Sequence, residues 1–111
     1  AVRYIAEHYS YPITVEDIAD YTGVCRSYLY RMFQKILKKS PKDYVDEYRI
    51  MQACQLLKET DLTITTIAHS VGYEDNFYFS KAFKKGKGQT PTEYRKSRSF
   101  ARTTERNMEN V

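Results

Sequence analysis

Basic side chains gather in two parts of this 111-residue chain, in a pattern suited to binding phosphate groups. Residues 26–42 contain six arginines and lysines and no acidic residue, while residues 81–98 contain seven against Glu93 alone. The net charge is only +4, because the acidic residues are concentrated elsewhere. Taken alone, each basic stretch is more readily explained as a solvated helix surface. The elements that position the two stretches therefore decide between these interpretations.

Residues that could support other chemistry are too scattered to form a site. His8 and His69 have no neighbouring ligands, and Cys25 and Cys54 lack metal-ligand spacing, which favours a reducing compartment over a disulfide or a zinc site. No serine lies in a nucleophile motif, and no glycine loop is followed by the helix that phosphate binding requires. No apolar run approaches the ~20 residues of a membrane span. We therefore expect no enzyme, no metal, no cofactor and no membrane partner.

The second basic stretch belongs to a predicted helix-turn-helix. Apolar residues within 67–71 occur at i, i+1 and i+4, which predicts a short helix with one buried side. Gly72 ends that helix, since a helix C-terminus favours a left-handed residue. Asp75 is the predicted N-cap of the next helix, and Phe79 and Phe83 give that helix its buried side. Two helices joined by a glycine-containing turn form this motif.

The same pattern occurs about 49 residues earlier in the chain. The matching residues of this first copy are Ile18, Ala19, Gly23, Leu29, Phe33, Pro41 and Tyr44. The chain therefore contains two helix-turn-helix units in tandem. Both basic stretches follow the turn of a unit, and this equivalence favours a binding surface over two solvated helices.

The predicted fold is all-α, with about seven helices in two helix-turn-helix subdomains joined by a long linker helix. Subdomain boundaries are expected at 1–40 and 61–97, with the linker at 41–60 and a polar tail, frayed or disordered, at 98–111. The linker begins at Ser40 and Pro41 and ends near Glu59. The second helices of the motifs are expected at about 26–38 and 75–85. Their predicted buried residues are Leu29, Phe33 and Ile36 in the first, and Tyr78, Phe79 and Phe83, with Tyr94 packing behind them, in the second.

These residues resemble the DNA-binding domain of the AraC/XylS family of bacterial transcription regulators. The resemblance runs from about Val2 to Ser97 and is carried by Ile67, Ala68, Gly72, Tyr73, Tyr78, Phe79, Phe83, Lys84, Lys85, Gly88, Thr90, Pro91, Tyr94 and Arg95. It implies sequence-specific binding of double-stranded DNA by a cytoplasmic activator at the bacterial nucleoid. It also implies contact with RNA polymerase, and an effector sensed by a domain absent from this chain. The missing initiator methionine is consistent with a fragment or a processed chain.

In a helix-turn-helix, the exposed early part of the second helix reaches the base edges in the major groove. The expected base contacts are Arg26, Ser27, Tyr30 and Arg31 in the first copy, and Asn76, Phe77 and Lys81 in the second. The resemblance places Ser27, Tyr30 and Arg31 at base-reading positions. The expected phosphate contacts are Lys35, Lys38, Lys39, Lys84, Lys85 and Arg95. We expect the first copy to read more sequence, because Phe77 offers no hydrogen bond.

Three alternatives stay open. Arg95 could bind a helix end instead of phosphate. The chain could be a basic helical module that binds an acidic protein. A redox sensor through Cys25 is a third reading, since this thiol is at a predicted helix N-terminus beside Arg26. As an N-cap a thiol is a poor acceptor, so this helix start should be weakly stabilised.

Overall fold

Seven helices and no strand make up residues 1–97, the part of the chain that the computed structural model describes. The tail expected at 98–111 lies outside the described residues. The helices are α1 (Val2–His8), α2 (Val15–Thr22), α3 (Arg26–Leu37), α4 (Pro41–Glu59), α5 (Ile64–Ser70), α6 (Asn76–Lys87) and α7 (91–97). Helices α2 and α3 form the first helix-turn-helix and α5 and α6 the second, with α4 as the linker. The predicted all-α architecture is confirmed.

Four N-cap side chains begin their helices by accepting backbone hydrogen bonds. Thr14 accepts from the Asp17 N–H at 3.1 Å, and the Asp17 carboxylate accepts from the Thr14 N–H at 2.9 Å, which completes a capping box. Ser40, Thr63 and Asp75 cap α4, α5 and α6. Cys25 occupies the N-cap of α3 without a side-chain hydrogen bond, as the sequence predicts.

A left-handed residue follows three of the helices, and one of them is not glycine. Gly23 after α2 and Gly88 after α6 both have φ of 76°. Lys38 ends α3 with φ of 59°, at the position that Gly88 occupies in the second unit. A side chain in this conformation crowds its own backbone, so the first unit carries a local strain that the second avoids.

Each unit has its own hydrophobic core, and the linker helix contributes to both. The first core contains Ile5, Ile18, Ala19, Leu29, Phe33 and Val45. The second contains Ile50, Ala53, Cys54, Leu57, Ile67, Ala68, Val71, Phe79, Phe83 and Tyr94. Because α4 supplies Val45 to one core and four residues to the other, it cannot rotate without disturbing both. No helix within residues 1–97 is long and apolar enough to cross a bilayer.

Two residues predicted to be buried are exposed. Ile36 is 65% exposed, because no residue within 1–97 covers the C-terminal end of α3 on that side, where it borders an apolar groove with Val2 and Met32. Tyr78 is 63% exposed. An α-helix turns by about 100° per residue, so the neighbour of buried Phe79 points away from the core. Tyr94 is buried, with its ring 5.4 Å from that of Phe83, as predicted.

Candidate nucleic-acid interface

Helix α3 separates a buried side from an exposed side that carries the first basic stretch. Leu29 and Phe33 are 3% and 4% exposed and hold the helix on the first core. The four residues expected to contact bases all lie exposed at its N-terminal half, namely Arg26, Ser27, Tyr30 and Arg31. A helix anchored along one side can enter a groove with its opposite side.

Helix α6 repeats this arrangement. Phe79 and Phe83 are fully buried, and the expected contacts Asn76, Phe77 and Lys81 are exposed. The Phe77 side chain does not pack in the core, since it is 68% exposed and its ring lies 5.7 Å from that of Tyr78. This apolar surface at the start of α6 distinguishes the second unit from the first.

The two N-terminal candidates brace their helices within each unit. The Arg26 guanidinium donates to Glu16 in the first turn of α2 at 3.2 Å. Asn76 donates to the Thr65 hydroxyl in the first turn of α5 at 3.4 Å. Glu16 and Thr65 are equivalent positions in the repeat, so in both units the first residue of the recognition helix contacts the first turn of the preceding helix. Within residues 1–97, the side chains of Ser27, Tyr30, Arg31 and Lys81 make no hydrogen bond or ion pair.

The six expected phosphate contacts fall into two groups. Lys35, Lys38, Lys84 and Lys85 are exposed and have no ion-pair partner among the described residues. Lys39 instead pairs with Glu47 on α4. Arg95 is half-buried and donates from Nε to the Leu57 carbonyl at 3.3 Å and from Nη2 to the Thr60 carbonyl at 3.2 Å. Arg95 therefore binds the C-terminal end of α4, the alternative that the sequence left open.

One equivalent pair of exposed aromatic residues was not predicted from the sequence. Tyr28 on α3 is 46% exposed and Tyr78 on α6 is 63% exposed, each immediately before a buried anchor residue of its helix. Both lie beside the expected base-contact residues. A helical projection centred on the anchors would have placed them outside the core.

Two exposed recognition helices in tandem, each with free basic and polar side chains, define a helix-turn-helix DNA-binding domain. Comparison with known proteins supports this class of protein. A family model described as "Helix-turn-helix domain" matches residues 18–97. The raffinose operon transcriptional regulatory protein RafR of Pediococcus pentosaceus is 41% identical over 97 residues, which are 87% of this chain and 35% of that protein. The lactose operon transcription activator of Staphylococcus xylosus is 43% identical over 95 residues, or 86% of this chain and 34% of that protein.

Among solved structures, the C-terminal domain of AraT, a response regulator from Geobacillus stearothermophilus, has a TM-score of 0.83. It is 39% identical and the match covers 86% of this chain and 80% of that one. The chain thus belongs to the AraC-type helix-turn-helix family, the DNA-binding domains of transcription regulators. Members of this family bind DNA and are not enzymes. The chain spans about a third of the length of the curated relatives it matches.

Proposed function

We propose that this domain reads one asymmetric DNA site by placing α3 and α6 in successive major-groove segments on one face of the duplex. The observation that carries this proposal is the equivalence of the two units, each with its own core, bracing contact and exposed recognition helix. Helix α4 has 19 residues and is therefore about 28 Å long. Equivalent major-groove faces are about 34 Å apart, so a connector of this length suits two adjacent segments.

In the first unit, we assign base reading to Ser27, Tyr30 and Arg31. Arg31 is exposed and has no partner among residues 1–97, so its guanidinium is available for a bidentate contact with guanine, worth about 1–3 kcal/mol in discrimination. Tyr30 can place its ring against thymine methyl groups. Arg26 can reach a base or a phosphate only by releasing Glu16, which lowers its expected contribution.

In the second unit, Phe77 suits thymine methyl groups, because its exposed ring is apolar and cannot hydrogen bond. Lys81 suits guanine or a phosphate, and Asn76 suits adenine if it leaves Thr65. The second block of the site should therefore be richer in thymine and less strictly specified than the first. Lys35, Lys38, Lys84 and Lys85 supply the phosphate contacts, which makes binding dependent on salt.

The test is selection of duplexes from a random pool, followed by titration of the selected site across salt concentrations. We expect two blocks about one helical turn apart, with affinity falling steeply as salt rises. Alanine at Arg31 should relax the preference at one position of the first block, by about 1–3 kcal/mol. Alanine at Lys81 should act on the second block. Arg3→Ala, which removes an exposed arginine of α1, is the matched control and should leave both blocks intact.

Other outcomes would redirect the proposal. A single-block consensus would mean that one unit reads bases and the other only positions the domain. No enrichment with a flat salt dependence would contradict DNA readout by this chain, and would favour the alternative of a basic helical module that binds an acidic protein.

For the longer protein we propose transcription activation in the bacterial cytoplasm, with effector sensing by a segment outside this chain and contact with RNA polymerase. The support is the resemblance to the lactose operon transcription activator of Staphylococcus xylosus, of which this chain matches 34%. Transcription in vitro from a promoter carrying the selected site, with and without the full-length protein, tests this. Reduced transcription would indicate a repressor instead.

A further inference from the structure

One arginine of the linker helix binds the first unit through two backbone carbonyls. Arg49 lies near the middle of α4. Its Nε donates to the Tyr9 carbonyl at 2.9 Å, and its Nη2 donates to the Tyr11 carbonyl, also at 2.9 Å. Both carbonyls belong to the segment that connects α1 to α2. The guanidinium therefore fixes this part of the first unit to the middle of the linker.

The same side chain also contacts the second unit. Arg49 Cζ lies 5.6 Å from the centroid of the Tyr73 ring, in the turn between α5 and α6. The Tyr73 hydroxyl donates to the Asp46 carboxylate at 3.3 Å, one helical turn before Arg49 on α4. Arg49 is thus a shared partner of both units, held between the backbone of one and an aromatic ring of the other.

The two units approach so closely here that only glycine fits at position 72. A Cβ atom at Gly72 would lie 2.5 Å from the Tyr9 carbonyl oxygen and 3.0 Å from Arg49 Nε. The equivalent Gly23 in the first unit also has a positive φ, of 76°, yet a Cβ there would meet nothing within 4 Å. The positive φ of the turn favours glycine at both positions, but the close approach between the two units occurs only at Gly72 of this pair.

We propose that Arg49 is a positioning residue for DNA recognition, which sets the separation and rotation of α3 relative to α6 without touching DNA. This inference rests on the proposed two-helix readout. Each base pair added between two blocks moves the second by about 3.4 Å and rotates it by about 35°, given some 10.5 base pairs per turn. A domain with fixed units therefore discriminates between block spacings. A domain with loosely joined units tolerates several spacings.

The first experiment measures the position of the units in the absence of DNA. Spin labels are attached at Gln34→Cys on α3 and Lys84→Cys on α6, which are exposed and equivalent positions. Cys25→Ser removes the exposed native thiol, while Cys54 is buried. In the otherwise unchanged chain we expect one narrow distance distribution. With Arg49→Ala we expect a broader distribution with a shifted mean.

The second experiment measures affinity for a series of duplexes in which the two selected blocks are moved apart or together by single base pairs. The wild-type chain should lose about tenfold or more in affinity when the spacing changes by one base pair, since both units can no longer bind together. Arg49→Ala should lose only about threefold, because the packing of α4 into both cores still joins the units but the contact that fixes their relative rotation is gone. Its affinity for an isolated first block should match the wild type.

Gln55→Ala is the matched control, because Gln55 is an exposed α4 residue whose side chain, among residues 1–97, bonds only to Glu59 on the same helix. It should keep the wild-type spacing preference and distance distribution. If Arg49→Ala does not fold, Arg49→Lys carries the test, since an ammonium retains the charge but cannot reproduce the planar two-carbonyl contact. We expect an intermediate phenotype for the lysine variant.

Unchanged label distances and an unchanged spacing preference in a folded Arg49 variant would overturn the positioning role. Equal losses of affinity for the isolated block and the full site would indicate general destabilisation, and would also overturn it. If the wild-type chain selects no two-block site, the two-helix readout fails. The label distances then still show whether Arg49 holds the units together.

Discussion

Removing Arg95 should destabilise the fold and leave the phosphate contacts of the domain unchanged. Its guanidinium donates to the carbonyl oxygens of Leu57, in the last turn of α4, and of Thr60, the C-cap residue. These carbonyls have no partner further along the helix, and the end of a helix carries partial negative charge. A cation at this position stabilises the helix end and joins α7 to α4.

The magnitude follows from the two hydrogen bonds. A hydrogen bond to a charged group contributes about 1.5–3 kcal/mol, but these are long, at 3.3 and 3.2 Å, and Arg95 is half-buried. We therefore expect Arg95→Ala to lower the free energy of unfolding by about 2 kcal/mol. Arg95→Lys should lose roughly half of that, because one ammonium replaces a two-pronged donor. Lys96→Ala, at the exposed neighbouring position, should stay within about 0.5 kcal/mol of the wild type.

The assay is urea denaturation of the three variants, together with the dependence of DNA affinity on salt for those that are folded. A residue that contacts a phosphate contributes about 0.9 to the slope of log affinity against log salt. If Arg95 serves the helix end, the slope of Arg95→Ala equals that of the wild type. An unchanged unfolding free energy with a slope reduced by about one would refute this reasoning and restore the phosphate contact.

Three further predictions concern local strain, capping and pH. Lys38→Gly should stabilise the first unit by about 1 kcal/mol in urea denaturation, because Lys38 adopts the left-handed conformation that Gly88 supplies in the second unit; a lower stability would contradict the strain. Cys25→Ser should raise stability by roughly 0.5–1 kcal/mol by adding the missing cap bond, and an unchanged melting temperature would argue against it. Burial raises the pKa of the Tyr73 hydroxyl, and the Asp46 carboxylate raises it further, so the folded state retains this proton longer than the unfolded chain does. The stabilisation is therefore present below the unfolded value of about 10 and is lost as pH rises above it. The stability of the wild type relative to Tyr73→Phe should stay constant up to about pH 9 and decrease from about pH 10 upwards, and a difference that is still unchanged at about pH 11 would count against this assignment.

Much of the fold could be read from the sequence because its causes are local. The caps at Thr14, Ser40 and Asp75 and the left-handed glycine at 23 each depend on contacts within about four residues. The repeat then identified the two units, since equivalent apolar positions recur at one offset. The predicted burial of Ile36 and Tyr78 was wrong, because burial depends on which neighbouring element covers a side of the helix. Spacing along one helix does not specify that element.

Part of the candidate interface could likewise be predicted from the sequence, and part of it could not. The exposure of Arg31 and Lys81 follows from the helical period once the anchors Phe33 and Phe83 are known. The binding partners of Arg26 and Lys39 do not follow from the helical period, because a long basic side chain can reach phosphate, carboxylate or carbonyl groups with similar chemistry. Which group such a side chain binds depends on which acceptor the fold brings within about 3 Å.

By itself, the sequence determined the helices, their caps, the tandem repeat and the family, because these depend on periodicity and on chemistry between near neighbours. The tertiary structure alone decided which cations face solvent and which join the fold together. Arg49 meets carbonyls 40 and 38 positions away, and Arg95 meets carbonyls 38 and 35 positions away. Contacts across such separations exist only after α4 has packed into both cores, so no spacing within the sequence could specify them.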